Sequence, residues 1–156
     1  MLERLRPYLN RKVLIVGLGN RLRSADGAGS ILAGRLRGKN IYSVFDVETA
    51  FENYLGKLIK EDPESIIIID AADFGGSPGE FKAIGADKLE TAGFYSTHDA
   101  SLSMSINYLQ THIAADIIIL AIQPKITVFG EKLSREVAKT LDILENWFYE
   151  QAKEKR

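Results

Sequence analysis

Ser65-Ile66-Ile67-Ile68-Ile69-Asp70-Ala71-Ala72-Asp73 is the segment from which the rest of the chain is best read. Four consecutive isoleucines are β-branched and stiff at χ1, which favours extended backbone. Their apolarity is continuous rather than alternating, so both faces of the strand must be covered, as in the middle of a parallel sheet. Asp70 interrupts the run where the strand is expected to end, and it is the first polar side chain after the isoleucines.

Two further runs share this character, Val13 to Val16 and Ile117 to Ile122. Ile41 to Val47 is more mixed and fits a less buried strand. Glu80 to Ile84 alternates and follows the turn sequence Gly75-Gly76-Ser77-Pro78-Gly79, which predicts an edge strand running antiparallel after a tight reversal. Helical periods lie between the strands. They are Ala28, Ile31, Leu32 and Leu36; Tyr54, Leu55, Leu58 and Ile59; Leu102, Ile106, Leu109 and Ile113; and Leu133, Val137, Leu141, Leu144 and Phe148, each set lying on one stripe. Met104 and Trp147 fall within these helices and read as packing residues. The alternation predicts an α/β fold: a three-layer α/β/α arrangement around a five-stranded, twisted, mostly parallel sheet with one antiparallel strand. At 156 residues a single domain over 1–156 is expected.

Composition excludes several classes of function. Twenty basic residues against twenty-one acidic ones give a net charge of −1, which argues against a nucleic-acid partner. The first 39 residues carry nine basic side chains against Glu3 and Asp26, so a basic segment precedes an acidic remainder that could mark an acidic partner or only a solvated surface. There is no cysteine, hence no thiolate nucleophile and no sulfur-ligated metal. The start MLERLRPYLN is too polar for a signal peptide, and no apolar run approaches the ~20 residues needed to span a bilayer. The expectation is a cytoplasmic protein without a membrane partner.

In open α/β sheets ligands bind beyond the carboxyl ends of the parallel strands. That rule selects the loop Gly17-Leu18-Gly19-Asn20-Arg21-Leu22-Arg23-Ser24-Ala25-Asp26-Gly27, the end of the third strand at Asp70, and the connection leading into the helix after His98. Taken singly, Asp26 reads as an N-cap, Asp70 as a partner for loop amides and His98 as a capping or packing histidine. Together, two carboxylates and an imidazole supply oxygen and nitrogen donors and leave coordination positions open. His112, near the far end of its helix, reads as structural. Gly17-Leu18-Gly19 with Asp46 suggests a dinucleotide site, but Leu22 stands where G-x-G-x-x-G requires its third glycine. No G-x-S-x-G elbow and no H-E-x-x-H helix is present.

Gly17-Leu18-Gly19-Asn20, Asp26-Gly27-Ala28-Gly29, Asp70-Ala71, Pro78-Gly79-Glu80, Ser96-Thr97-His98 and Ile122-Gln123-Pro124, in this order and spacing, resemble the hydrogenase maturation endopeptidases. The resemblance runs from about Lys12 to Trp147, and Thr-His before a helix with Ile-Gln-Pro after the last strand is most similar to the branch serving formate-hydrogenlyase-type hydrogenases (hydrogenase 3). It implies a phosphorylase/hydrolase-like fold and an endopeptidase that removes a C-terminal extension from the nickel-loaded large-subunit precursor of a nickel-iron hydrogenase. It also implies that Asp26, Asp70 and His98 are the metal-binding and catalytic positions, that the nickel is supplied by the precursor, and that the enzyme is a monomer. Arg21 and Arg23, where relatives carry apolar residues, become candidates for holding acidic groups of the substrate. The usual Gly-Gly after the second strand is Val47-Glu48 here, the following proline is Phe51, and Ala25 replaces an acidic neighbour. The alternative from another class is a non-enzymatic metal-sensing or chaperone module on the same fold.

Overall fold

The computed structural model describes residues 2–22, 27–89, 95–96, 99–125 and 133–155. After a 3-10 turn at Leu2–Leu5, the described elements are α1 (Arg6–Leu9), β1 (Val13–Leu18), α2 (Ala28–Gly38), β2 (Ser43–Glu48), α3 (Leu55–Glu61), β3 (Ser65–Asp73), β4 (Phe81–Gly85), β5 (Tyr95–Ser96), α4 (Asp99–His112), β6 (Asp116–Ile122) and α5 (Arg135–Glu154). The main sheet has the order β2-β1-β3-β6-β4. Its pairs are parallel except β4 with β6, as the alternating sequence of Glu80 to Ile84 predicts. The five-stranded, mostly parallel α/β expectation therefore holds.

Alternate strand residues feed two cores. Val13, Ile15, Ile67, Ile69, Ile118 and Leu120 face α1, α2 and α5, meeting Leu9, Leu32, Leu36, Val137, Leu141, Leu144 and Phe148. Leu14, Val16, Ile66, Ile68, Ile117 and Ile119 face α3 and α4, meeting Leu58, Leu102, Ile106 and Leu109. All four isoleucines of β3 are completely buried. Each stabilises the fold by about 1.5–3 kcal/mol relative to exposure, which is why this strand occupies the centre. β2, with one residue buried among six, forms the edge opposite β4.

Two sequence readings are corrected. Met104 is not a packing residue; it is 71% exposed, because the buried stripe of α4 runs through Leu102, Ile106 and Leu109 on another side of the helix. Trp147 does pack, partly buried against the first core and edge-on to Phe148 with ring centroids 5.2 Å apart. The second correction is that β3 does not end at Asp70. Its ladder with β6 continues to Ala71↔Ile122, and the short antiparallel β5 then pairs Ala72↔Ser96 and Asp73↔Tyr95. No helix among the described residues is long and apolar enough to cross a membrane.

The excess of basic residues in the first 39 positions is met largely within the chain. Arg11 pairs with Asp116, Arg35 with Asp142 and Glu145, and Lys39 with Glu145, while Arg4 donates to the carbonyl of Ala83. The acidic remainder of the chain supplies partners for its own basic start.

Candidate active site

The strand order reverses direction between β1 and β3. From β1 the chain moves outward to β2 and then returns to β3 on the other side, which opens a crevice at the carboxyl ends of these two strands. The β1 ladder ends against β3 at Gly17↔Ile69, and the next residue of β3 is Asp70. Asp70 is completely buried. A carboxylate is kept in such a place only where donors or a cation compensate its lost hydration.

Two other segments are fastened beside it. Gly29, in the first turn of α2, lies so close that a Cβ there would fall under 3.0 Å from the carbonyl oxygens of Ile69 and Leu18. Beyond Asp70 along β3, Ser96 of β5 is in register with Ala72. Asp26 and His98 themselves lie outside the described residues, as does Arg23. Among the described residues no three His, Asp or Glu side chains form a group able to hold a metal ion, and Asp70 is the described member of the expected set.

Asp46, considered above as a ribose ligand, is engaged within the chain. Its Oδ2 accepts from Arg21 Nη2 at 2.8 Å and its Oδ1 from Ser30 Oγ at 2.6 Å. Arg21 also donates through Nε to Ser30 Oγ at 2.8 Å and through Nη2 to the Ser30 carbonyl at 3.0 Å. The absent side chain of Gly34 leaves room for the guanidinium. Arg21 thus braces the β1–α2 loop against α2 and β2, and the expectation that it reaches for substrate acids is replaced by this internal role. Arg21→Ala should lower stability by about 1 kcal/mol, discounted for its half-exposed position, and an unchanged urea midpoint would contradict the brace. The first motif glycine serves helix packing: a Cβ on Gly17 would collide with Ala33 and the Gly29 carbonyl. Leu22 is 61% exposed, with its N–H donated to Asn20 Oδ1 at 3.0 Å.

Glu48 has φ 50°, a left-handed conformation that costs a non-glycine residue about 1–2 kcal/mol. Its position is one where the family resemblance calls for glycine. The departure is accommodated by a bulge after Gly17 that pairs Leu18 with Glu48, by the Gly19 N–H donating to the Glu48 carbonyl at 3.0 Å, and by the Glu48 N–H donating to Asp46 Oδ1 at 3.3 Å.

Sequence reasoning gave no role to the turn after β3, which the structure ties to β6. Asp73 Oδ1 accepts from the Gly75 N–H at 3.0 Å and from Gln123 Nε2 at 3.2 Å. The Gly75 amide first, and the Gln123 carboxamide second, hold the Asp73 carboxyl below its ordinary range. His112 is exposed, stacked on Tyr108 with ring centroids 4.2 Å apart, and has Nδ1 2.8 Å from the Tyr108 carbonyl oxygen. It decorates the end of α4, as its sequence position suggests.

The family model for hydrogenase maturation protease matches residues 29–151. A Methanocaldococcus jannaschii protein, provisionally named as a hydrogenase maturation protease, is 34% identical over 90% of this chain and 88% of its own length. The hydrogenase 3 maturation protease of Escherichia coli K12 is 29% identical over 86% of this chain and 89% of its own. Among solved structures, the nickel-iron hydrogenase maturation protease HycI from Thermococcus kodakarensis superposes with a TM-score of 0.82 at 28% identity, covering 96% of this chain and 99% of that one.

Proposed function

Because the chain belongs to the hydrogenase maturation protease family and is a hydrolase of peptide bonds, we propose that it removes a C-terminal extension from the large-subunit precursor of a nickel-iron hydrogenase. In this reading Asp26, Asp70 and His98 recognise nickel already held by the precursor, so that cleavage waits for metal insertion. Nickel belongs to the substrate and is not a resident cofactor.

The observation that carries this reading is the position of Asp70. It is a fully buried carboxylate at the strand-order reversal, with the segments that lead to both other residues fastened to β3 just before and just after it. Gly29 is three residues after Asp26 and packs on the Ile69 carbonyl. Ser96 is two residues before His98 and pairs with Ala72. Two residues of chain reach no farther than about 7 Å and three about 11 Å, so these anchors are compatible with both side chains reaching one ion bound beside Asp70. Membership of a protease family favours an enzyme over a metal-sensing or chaperone module on the same fold.

Two carboxylates and one imidazole suit a divalent ion that keeps other ligands from the precursor. Once bound, nickel can act as a Lewis acid toward a nearby carbonyl or water. Incubating the purified protein with nickel-loaded and nickel-free precursor tests the reading. A shortened large subunit is expected only from the loaded form; equal cleavage of both would remove nickel recognition, and cleavage of neither would remove the substrate assignment.

A further inference from the structure

Gln123 was notable in the sequence only as part of Ile-Gln-Pro, yet in the structure its side chain and main chain are both committed to one turn. Its Oε1 accepts from the N–H groups of Phe74 and Gly76 at 2.9 and 3.1 Å, and its Nε2 donates to Asp73 Oδ1 at 3.2 Å. Its own N–H donates to the Glu80 carbonyl at 2.8 Å, and its carbonyl accepts from the Gly79 N–H at 2.9 Å. The residue is 7% exposed. Pro124 disfavours helical backbone at the position before it, which keeps Gln123 extended as β6 ends.

These five bonds join the end of β6 to every part of the turn between β3 and β4. The same Asp73 that receives the carboxamide is the last rung of the β3–β5 ladder, opposite Tyr95, with Ala72 opposite Ser96. The chain then reaches position 98 in two residues. We propose that Gln123 is a positioning residue: by tying β6 to Asp73 and the turn after it, its carboxamide holds the end of β3 beyond Asp70 and the β3–β5 ladder that immediately precedes position 98. The inference rests on the reading of Asp70 and His98 as parts of one site.

The chemistry of the tie restricts which side chains can replace it. The position needs one oxygen able to accept two N–H bonds and, on the same rigid plane, one donor toward a carboxylate. Glutamate keeps the acceptor but turns the donor into a second carboxylate facing Asp73. Methionine keeps the length and offers neither group, and asparagine is one methylene too short.

The test measures processing of nickel-loaded precursor by the full chain and by Gln123→Glu, Gln123→Met, Asp73→Ala, the Gln123→Glu/Asp73→Ala pair and Asp70→Asn. Displacement of a site residue by about 1 Å costs roughly 10–100-fold. The Gln123 variants should therefore lose kcat/KM for the nickel-loaded precursor on that scale. Removing Asp73 relieves the repulsion, so the pair should process faster than Gln123→Glu alone, a non-additivity expected of contacting residues. Amide exchange of Phe74, Gly76 and Tyr95 should accelerate in Gln123→Met while the Ile66–Ile69 amides stay protected.

Wild-type kcat/KM in both Gln123 variants alongside an inactive Asp70→Asn overturns the positioning role and leaves the site intact. So does a pair no more active than Gln123→Glu. Wild-type processing by Asp70→Asn instead overturns the site reading itself, whatever the Gln123 variants do.

Discussion

Asp26→Asn, Asp70→Asn and His98→Ala are each expected to abolish processing of nickel-loaded precursor while the chain stays folded. The two amides keep the shape of the carboxylates but remove the charge that favours a divalent cation, and alanine removes the imidazole donor outright. Loss of a group that orients a metal ligand typically costs 10–100-fold, roughly speaking, and loss of a proposed ligand should exceed that. Asp70 calls for a separate stability measurement because it is completely buried rather than set in a loop. Exchanging a buried acceptor for an amide moves stability by about 1–3 kcal/mol, a fraction of the 5–15 kcal/mol typical of a domain. His112→Ala is the control, since its ring sits at the other end of a 14-residue helix, about 20 Å from that helix's start. Precursor cleavage on a gel and urea unfolding of each variant decide the matter. Three folded variants cleaving at the wild-type rate would dismiss the metal-recognition set.

Much of the architecture was legible because it depends on short-range pattern. The isoleucines of β3, continuous and β-branched, could only be a covered strand, and the alternation from Glu80 to Ile84 after a glycine-rich turn gave both the edge position and the antiparallel direction. The end of β3 was not legible. Asp70 looks like a terminator in sequence, but Ala71 to Asp73 remain extended because β6 and then β5 supply partners from residues about 50 and about 25 positions away, respectively, and no local signal encodes such pairing.

The same distinction applies to the candidate site. The carboxylate of Asp70 was found by its place after a strand, which is local information. The commitment of Arg21 and Asp46 to one another depends on Gly34 being empty and on Ser30 facing both, which only the folded arrangement brings together. Arg21 in an exposed loop sequence reads as a free cation, and Asp46 at a strand end reads as a free acid. Gln123 was hidden for a similar reason, because a glutamine at a strand end has no distinctive pattern until the turn from residues 73 to 80 is placed against it. Glu48 shows the reverse case. The missing glycine was visible in sequence, and its meaning, a left-handed residue at the bulge between β1 and β2, became clear only with the backbone.

Gly29→Ala should be among the most damaging single substitutions in the chain, against the usual rule for helices. In a helix interior, replacing glycine by alanine normally gains up to about 1 kcal/mol, because glycine loses more backbone freedom on folding. Gly56 in α3 and Gly38 at the end of α2 fit that rule, since a Cβ at either would have no neighbour within 4 Å. At Gly29 the atoms in the way are the carbonyl oxygens of Leu18 and Ile69, which belong to the two central strands and cannot rotate aside as a side-chain tip would. The α2 helix would have to lift from the sheet, breaking the contact of Gly29 and Ala33 with Gly17 and loosening Leu32 and Leu36 in the first core. Overpacking commonly costs 1–3 kcal/mol and sometimes more, and a clash with fixed backbone belongs at about 3 kcal/mol or above. Ile69 is the residue before Asp70, so the lifted helix would also disturb the candidate site, and processing should fall further than stability alone explains. Urea midpoints of Gly29→Ala, Gly38→Ala and Gly56→Ala, measured together, give the contrast directly. If all three variants are as stable as the parent or more so, α2 does not sit this close to β1 and β3, and the packing of Gly29 against the strand that carries Asp70 must be abandoned.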